Sequence, residues 1–438
     1  MISFSEALRF WLKLGFISFG GPTGQIAIMH QELVERRRWI SENRFLHALN
    51  YCMLLPGPEA QQLATYIGWL MHRTWGGIVA GGLFVLPSVF ILIALSWIYL
   101  AYGNLPLVAG VFYGIKPAVV AIVLAAAHRI GSRSLKNAWL WTIAAAAFIA
   151  IFALHAPFPA IILGAGIAGY LGGRFAPDKF SAGGGHGTAK AGQGPALIDD
   201  NTPTPAHARF SWLKFWSWAG GGIALWGAAI GLLAAASGWD GTLAQMGWFF
   251  TKAALLTFGG AYAVLPYVNQ GAVEYYGWLT APQMIDGLAL GETTPGPLIM
   301  VVAFVGFVGA WTHAIFGESL AAAGIAGALV ATFFTFLPSF VFIFMGAPFI
   351  ETTHGNLKFT APLAAITAAV VGVVLNLALF FAYHVLWPRG PAGGFDWPSA
   401  LIGAGALLAL FRYKIDVIPV VGGCAALGLA LTLARQFF

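Results

Sequence analysis

Charged side chains are scarce in this sequence. Asp, Glu, Lys and Arg together supply 9% of the 438 residues, whereas hydrophobic residues supply 59%. So few charges cannot cover the surface of a soluble protein of this size. Apolar runs such as 76–99 and 321–344 also exceed the roughly 20 residues that a helix needs to cross a bilayer. The composition therefore predicts an all-α polytopic membrane protein that is surrounded by a lipid bilayer.

Residues that hold metals, disulfides or ATP are also sparse. Cys52 and Cys424 are the two cysteines, and neither belongs to a C-x-x-C motif. The 10 His are scattered, and the sequence has no H-E-x-x-H motif and no G-x-x-x-x-G-K-[ST] loop. These absences predict no metal site, no cofactor and no ATP-driven pump, and they weigh against a membrane-embedded enzyme.

The first part of the sequence is repeated in its second half. Residues 13–58 and 252–297 align without a gap at a constant separation of 239 residues, as between Lys13 and Lys252. The alignment matches Phe19-Gly20-Gly21 with Phe258-Gly259-Gly260, Trp39 with Trp278, and Pro56-Gly57-Pro58 with Pro295-Gly296-Pro297. These helix breakers lie in apolar segments, where lipid tolerates them only if the freed backbone groups line protein or a water-filled cavity. We therefore expect the functional site at the breaks.

The breaks divide each repeated stretch into short apolar segments. They are 6–19 and 23–38, then 43–55 and 59–72 in the first copy, and the broken segments 246–275 and 280–311 in the second. A piece of about 14 residues spans only about 20 Å, which is too short to cross a membrane. We interpret each pair as a broken or re-entrant helical hairpin that reaches the middle of the membrane, with bent full spans as the alternative.

About four ordinary spans follow the hairpins in each copy. They lie at 75–101, 107–128, 138–154 and 157–173, and at 320–345, 360–386, 397–412 and 415–434. The chain then divides into a first repeat at 1–174, a flexible cytoplasmic linker at 175–212, one connecting span at 213–238 and a second repeat at 239–438. Because an odd number of spans separates equivalent positions, the second repeat is predicted to have inverted topology.

The distribution of positive charge supports this inversion. Arg36-Arg37-Arg38 in the first repeat corresponds to Tyr275-Tyr276-Gly277 in the second. Since cytoplasmic loops carry an excess of Lys and Arg, loss of the cluster is expected if the two loops face opposite sides. The net charge of +6 therefore indicates membrane orientation and no nucleic-acid partner. The basic loops, among them the predicted loop with His128, Arg129, Arg133 and Lys136, and the linker are expected to be cytoplasmic. Inverted repeats with broken helices are typical of transporters.

A helix that restarts after a Gly or Pro break presents free N–H groups and about half a positive charge. The breaks predict such helix starts near Thr23, Glu59, Ala261 and Leu298. If the starts converge, they favour a small anion, in particular a dianion, and glycine lets it approach the backbone closely. The candidate substrate-binding residues are Lys13, Gly20, Gly21, Pro22, Gln25, Pro56, Gly57, Pro58, Lys252, Gly259, Gly260, Pro295, Gly296 and Pro297.

Three of these candidates are polar side chains with two interpretations each. Lys13 and Lys252 occupy equivalent apolar positions, where each would either bind the anion or extend to the membrane interface. Gln25 would either donate to the anion or bond to the backbone as a core amide. The residues leave both interpretations open.

Three further ionisable residues are candidates for coupling or gating. Glu59 follows the first Pro-Gly-Pro and Glu292 precedes the second by three residues, so each would be either a protonatable gate or a helix cap. Lys116 would either bind the ligand or pair with a carboxylate or carbonyl. Asp286, which aligns with His47, is interpreted as interfacial.

These motifs resemble a known family. Phe19-Gly20-Gly21-Pro22 with Lys13 upstream, Leu55-Pro56-Gly57-Pro58 and Thr294-Pro295-Gly296-Pro297 are similar to the chromate ion transporter (CHR) family, in its long bidomain form. The resemblance implies export of chromate across the bacterial inner membrane, driven by the membrane potential or the proton-motive force, with sulfate as a competing analogue. Ala261 stands where the first copy has Pro22, which implies two unequal half-sites.

We expect alternating access around a site in the middle of the membrane. A carrier of sulfate or another oxyanion is an alternative, because chromate and sulfate are nearly isosteric. A passive anion channel is a second alternative, and a membrane-embedded enzyme is the alternative from a different class. Whether the protein forms a homodimer is left open.

Overall fold

The computed structural model of the chain describes residues 2–19, 21–180, 196–352 and 360–437. Gly20 and residues 181–195 of the predicted linker lie outside the described residues. In the described part, every regular element is a helix, and one isolated bridge joins Ile40 to Ile198. Seven of these helices are long and apolar enough to cross a membrane, and three shorter apolar helices accompany them. The prediction of an all-α polytopic membrane protein is confirmed.

The first half begins with short helices and continues with longer ones. They are α1 (Phe4–Ile17), α2 (Gly21–His30), α3 (Glu42–Leu54), α4 (Glu59–Tyr102), α5 (Pro106–Ser134), α6 (Ala138–Phe152), α7 (Phe158–Phe175) and the short α8 (Pro177–Phe180). A π-helix at Gln31–Arg36 continues α2. The single helix α9 (Trp212–Ser237) connects the two halves.

The second half presents equivalent helices in the same order. They are α10 (Thr242–Leu255), α11 (Ala261–Asn269), α12 (Ala281–Thr293), α13 (Val301–Thr312), α14 (Leu320–Thr352), α15 (Thr360–Leu386), α16 (Trp397–Phe411) and α17 (Val417–Phe437). A π-helix at Gln270–Tyr275 continues α11, and a 3-10 turn at Leu298–Met300 precedes α13. The two π-helices therefore occupy equivalent positions in the repeat.

The third helix of each half, α3 and α12, begins with the same kind of N-terminal cap. The Ser41 hydroxyl accepts a hydrogen bond from the N–H of Arg44 at the start of α3, at 3.3 Å. Its equivalent, Thr280, accepts from the N–H of Gln283 at 3.4 Å, and the Gln283 side chain accepts from the N–H of Thr280 at 2.8 Å. These side chains accept hydrogen bonds from N–H groups that would otherwise be free at the start of the helix. The helices α3 and α12 therefore each begin at a defined residue.

The helix α4 is bent and folds back on itself. Its backbone leaves helical geometry at His72 and Arg73, so residues 59–71 form one arm and residues 74–102 the other. The arms pack closely where Gly68 meets Gly76, because a Cβ on either glycine would collide with the other residue's carbonyl group. The predicted separation between segment 59–72 and span 75–101 corresponds to this bend.

The first break lies beside the middle of the long arm of α4. The helix α1 starts next to the bend, where the carbonyl of Ile2 is 3.0 Å from His72 Nε2. It then runs along the arm until Gly15 contacts Leu83 and Pro87, two residues before α1 ends. Since α1 covers about half of the arm, it stops where a helix entering from one side would reach the middle of a membrane.

Equivalent long helices of the two halves run in opposite directions where they touch. The long arm of α4 and the helix α14 share a Leu-Pro-Ser sequence that ends at Ser88 and Ser339. Gly77 packs against Phe344, and Gly81 packs against Phe340. Rising numbers in one helix therefore meet falling numbers in the other, which is the relation expected of repeats with inverted topology.

Four further spans, α5, α6, α15 and α17, form a second body that is packed through small residues. Gly114 of α5 lies against the backbone of α17 at Cys424 and Gly428. Gly372 of α15 lies against the carbonyl of Ala144 in α6. Small residues let helix backbones approach closely in membranes, so α5, α6, α15 and α17 form one tightly packed group. This group contains helices of both halves and lies beside the hairpins.

The described part of the linker is attached to the first half. Ser41 and Asn43 donate hydrogen bonds to the carboxylate of Asp200, at 2.5 and 2.6 Å. Farther along, His207 Nε2 is 3.0 Å from the carbonyl of Trp69, and burial there lowers the pKa of His207. The linker therefore covers one end of the first-half hairpins from residue 196 onward.

Candidate functional site

The four breaks meet as two pairs, and each pair joins the two halves. The N–H of Gly57, in the first Pro-Gly-Pro, donates to the carbonyl of Thr257 at 2.8 Å. The N–H of Gly296, in the second Pro-Gly-Pro, donates to the carbonyl of Ser18 at 2.8 Å. Ser18 and Thr257 are equivalent residues, each directly before a Phe-Gly-Gly. The same bond therefore occurs twice, with the roles of the halves exchanged.

The glycines of the Pro-Gly-Pro breaks have no space for a side chain. Their φ angles are +123° at Gly57 and +102° at Gly296, a region that other residues rarely adopt. A Cβ on Gly57 would lie 2.5 Å from Ser339 Oγ, and one on Gly296 would lie 2.9 Å from Ser88 Cβ. Each break is thus seated on the Leu-Pro-Ser sequence of the other half.

The Phe-Gly-Gly breaks differ, because open space faces them. Gly21, Gly259 and Gly260 have φ angles of +69°, +78° and +99°. No atom lies within 4 Å of a Cβ built on Gly21 or Gly260. Pro22 is half-buried and follows directly, whereas its equivalent Ala261 is buried. The close approach of a ligand to the backbone at these glycines stays a prediction, and Gly20 lies outside the described residues.

Helices begin at the breaks as the sequence predicts, with one small shift. The helix α4 begins at Glu59, α11 begins at Ala261, and a 3-10 turn begins at Leu298. The helix α2 begins at Gly21, slightly before the predicted Thr23. Their first N–H groups are therefore oriented from the breaks, where they favour negative charge.

Gln25 links both partners of one break pair. Its side chain is buried, and Nε2 donates to the carbonyl of Gly296 at 2.5 Å and to that of Ser18 at 3.4 Å. The core-amide interpretation of Gln25 therefore describes its contacts. Its Oε1 atom is buried with no hydrogen-bond partner among the described residues.

Two buried amides beside the other break pair were missed in the sequence. Gln62 donates to the carbonyl of Pro56 at 2.8 Å, and Gln61 donates to Thr65 Oγ1 at 3.0 Å. The Oε1 atoms of both glutamines also lack a partner within the described ranges. Consecutive glutamines in an apolar helix directly after a break were the available signal, since buried amides are costly unless they are bonded.

The two lysines before the breaks do not point to them. Lys13 is exposed on α1, one turn before the first break. Lys252 lies over the ring of Trp248, with Nζ 5.6 Å from the ring centroid. These positions agree with the interfacial interpretation, and the predicted ligand contact remains a prediction.

Lys116 has a carboxylate partner inside the protein. Its Nζ lies 3.3 Å from Oδ2 of Asp286, which also accepts a hydrogen bond from the Tyr99 hydroxyl at 2.9 Å. Asp286 is 2% exposed, so its interpretation as an interfacial residue was wrong. The apolar run around Asp286 hid this pairing, because the partners come from different halves of the sequence.

The two gating candidates have different surroundings. Glu59 is the half-buried first residue of α4. Glu292 accepts a hydrogen bond from the hydroxyl of Tyr262, which is the second residue of α11. Arg129, interpreted as part of a basic loop, lies within α5 instead, and its guanidinium carbon is 5.9 Å from the centroid of the Tyr262 ring.

The site offers neutral hydrogen-bond donors and the starts of helices. Across the described ranges, no group of three or more His, Cys, Asp or Glu could hold a metal ion. Free N–H groups, buried amides and open glycines together suit the binding of an oxyanion whose several oxygens accept hydrogen bonds.

Comparison with known proteins finds related sequences that match both halves of the chain. The profile of the family described as "Chromate transporter" matches residues 5–170 and 244–429, which are the two halves. The "Chromate transport protein" of Pseudomonas aeruginosa is 33% identical over 428 residues, covering 96% of this chain and 90% of that protein. The "Chromate transport protein" of Cupriavidus metallidurans is 30% identical over 427 residues, covering 97% of this chain and 92% of that protein.

A shorter relative matches only part of the chain. The "Uncharacterized transporter YwrA" of Bacillus subtilis is 29% identical over 136 residues, covering 31% of this chain and 76% of that protein. No solved structure matches the chain. With both halves matched by the family profile and the breaks of both halves paired across the molecule, the chain belongs to the chromate transporter family.

Proposed function

We propose that this protein is a secondary transporter that exports chromate across the bacterial inner membrane by alternating access. The observation that carries the proposal is the twofold exchange of hydrogen bonds between the breaks, Gly57 with Thr257 and Gly296 with Ser18. It brings helix starts of both halves beside the midpoints of α4 and α14. Such a site is reached from either side when one body of helices moves against another.

The driving force follows from the charge of the substrate. Chromate is a dianion at neutral pH, and the interior of a bacterial cell is electrically negative. Outward movement of each charge is favoured by about 2.3 kcal/mol per 100 mV of membrane potential. Export of a dianion therefore requires no ATP, and Glu59, Glu292 or Lys116 would couple a proton only if the pH gradient also contributes.

Membrane orientation is part of the same proposal. The exposed residue Arg36 lies at the end of the first π-helix, and the exposed residue Tyr275 lies at the end of the second. Opposite directions of α4 and α14 support opposite membrane sides for these two positions. The basic first-half loops and the linker are then cytoplasmic.

The moving parts are the hairpins and the tightly packed group of α5, α6, α15 and α17. Glycine contacts hold that group together, whereas the Lys116 and Asp286 ion pair joins it to the hairpin helix α12. We propose that the group moves as one body against the hairpins, because its close backbone contacts would be lost if its helices separated.

Uptake of labelled chromate and sulfate into inverted membrane vesicles tests the proposal. Inverted vesicles carry the potential in the direction that draws a cytoplasmic anion inward, so chromate uptake is expected and should fall when the potential is collapsed. A separate collapse of the pH gradient measures proton coupling. Vesicles containing a Gly57→Ala variant at equal abundance provide the control.

Three outcomes would contradict the proposal. Absence of any chromate uptake above that of vesicles lacking the protein would remove the transport function. Uptake that does not saturate would assign a passive channel. Faster uptake of sulfate, with chromate only as a weak competitor, would assign a sulfate carrier.

A further inference from the structure

One positive side chain touches the start of a broken helix. Arg129 of α5 lies against the ring of Tyr262, the second residue of α11, at 5.9 Å. Among the other described cations near the breaks, Lys116 pairs with Asp286, Lys252 lies over Trp248, and Lys13 is exposed on α1. Arg129 therefore brings a permanent charge to the Phe-Gly-Gly break of the second half.

Exposed groups lie beside this break at the end of α5. Arg129 is exposed, whereas the Tyr262 side chain that it touches is only 6% exposed. Gly259 is also exposed, and Glu292 is half-buried. Arg129 therefore lies at the surface directly beside a buried residue of this break, at the basic end of α5.

A carboxylate lies next to Arg129 and Tyr262 and supplies a counter-charge. The Tyr262 hydroxyl donates to the carboxylate of Glu292, and the charge of Arg129 acts on the same carboxylate. A guanidinium offers donors in a planar fork that fits two oxygens of an oxyanion. An arriving dianion would therefore compete with Glu292 for Arg129 and would accept hydrogen bonds from both Arg129 and Tyr262.

We propose that Arg129, with the Tyr262 hydroxyl, forms the site that first receives the oxyanion from the cytoplasm, and that Glu292 occupies this site electrostatically while it is empty. The inference rests on the proposed transport function and adds a substrate-contacting cation to it. The negatively charged group that binds is a tetrahedral dianion such as chromate or sulfate.

Equilibrium binding to the purified full chain in detergent tests the inference. Titration calorimetry with chromate and with sulfate is compared for the wild type, R129Q, R129K, E292Q and the control R133Q. Arg133 is exposed on the same helix one turn later, so R133Q removes the same charge without the contact. Loss of a charged hydrogen-bonding partner should weaken binding by about tenfold or more in R129Q, and by less in R129K.

The variant E292Q is expected to change oxyanion affinity in the opposite direction. E292Q removes the competing charge, so it should bind oxyanion more tightly than the wild type, which a purely structural role for this cluster does not predict. In vesicles, R129Q should raise the half-saturating chromate concentration more than it lowers the maximal rate. Gel-filtration profiles identify any variant that is misfolded.

The outcomes separate the two claims. A wild type that binds neither oxyanion would contradict the proposed function and the inference together. A wild type that binds chromate, with R129Q binding it equally well, would overturn the inference alone. Equal weakening in R129Q and R133Q would also overturn it, because the effect would then be general surface charge.

Discussion

In each half, two equivalent aromatic rings enclose a side chain, and that side chain differs between the halves. In the first half, the guanidinium carbon of Arg37 lies 5.0 Å from the ring centroid of Phe10 and 5.0 Å from that of Trp39. This cation contacts two aromatic faces at the outer end of the hairpins. Such contacts contribute about 0.5–1 kcal/mol each at exposed sites.

In the second half, the equivalent central residue is Tyr276. Its ring stacks on Trp278 at 4.4 Å between centroids and meets Phe249 edge to face at 5.7 Å. Trp278 and Phe249 are the equivalents of Trp39 and Phe10. The aromatic walls are therefore retained, while the cation between them is replaced by a neutral ring.

This difference separates a property that both halves keep, the packing between the rings, from one that differs, the positive charge. Packing requires a flat group between the two rings, and both guanidinium and phenol satisfy that need. The proposed inverted topology accounts for the difference in charge, because the positive-inside rule would then place positive charge at only one of the two equivalent positions. The halves keep their geometry and differ in charge.

A second difference lies at the breaks. Gln25 of the first half corresponds to Val264, and Gln62 corresponds to Val301, so these two buried amides have apolar equivalents in the second half. The backbone bonds of Gly57 and Gly296 are nevertheless the same in both halves. The backbone geometry is thus the shared part of the site, and the side-chain chemistry is unequal, as the replacement of Pro22 by Ala261 predicts.

The largest expected effect concerns membrane sidedness. In intact cells, a membrane-impermeant maleimide should label a Tyr275→Cys variant and leave an Arg36→Cys variant unlabelled, and inverted vesicles should reverse the result. Wild-type protein is the control, because Cys52 and Cys424 are buried. Labelling of both variants from the same side would contradict the inverted arrangement.

A large effect is also expected at the Pro-Gly-Pro glycines. Gly57→Ala and Gly296→Ala should each reduce chromate uptake at least about tenfold, because positive φ costs of order 1–3 kcal/mol for other residues and the added methyl collides with the opposite half. The measurement is uptake per amount of protein in vesicles. Gly82→Ala on α4, where a Cβ meets open space, should behave as the wild type.

Similar losses in both glycine variants would sharpen the comparison, since they would show that the two break pairs contribute equally. Normal uptake in both variants would contradict the conclusion that the paired backbone bonds are essential. A loss in only one variant would identify the half that dominates the site.

The smallest expected effect is at the two lysines. Lys13→Ala and Lys252→Ala should change oxyanion affinity by less than about threefold if the side chains lie at the interface, where a charge is only weakly coupled to the site. Chromate titration of the purified variants measures this, with Lys214→Ala as control. A much larger loss for Lys13 and Lys252 than for Lys214 would restore their interpretation as ligand-binding residues.

Sequence reasoning located the breaks correctly and misjudged several polar residues. Gly and Pro act on the backbone locally, so their effect at Gly57 or Gly296 is readable without a partner. The pairing of Lys116 with Asp286, and of Arg129 with Tyr262, depends on residues that are far apart in the chain. Periodicity contains no information about such contacts, and Arg129 therefore looked like an ordinary loop charge.

The sequence by itself determined that the chain is an all-helical membrane protein, that it contains a duplication, and that apolar helices are interrupted at equivalent places. These properties follow from composition and from local backbone chemistry, which need no knowledge of neighbours. Only the tertiary structure decided that each Pro-Gly-Pro bonds to the other half and is seated on its Leu-Pro-Ser sequence. It also decided which charges are paired, because the free energy of a buried charge depends on the groups that the fold brings next to it.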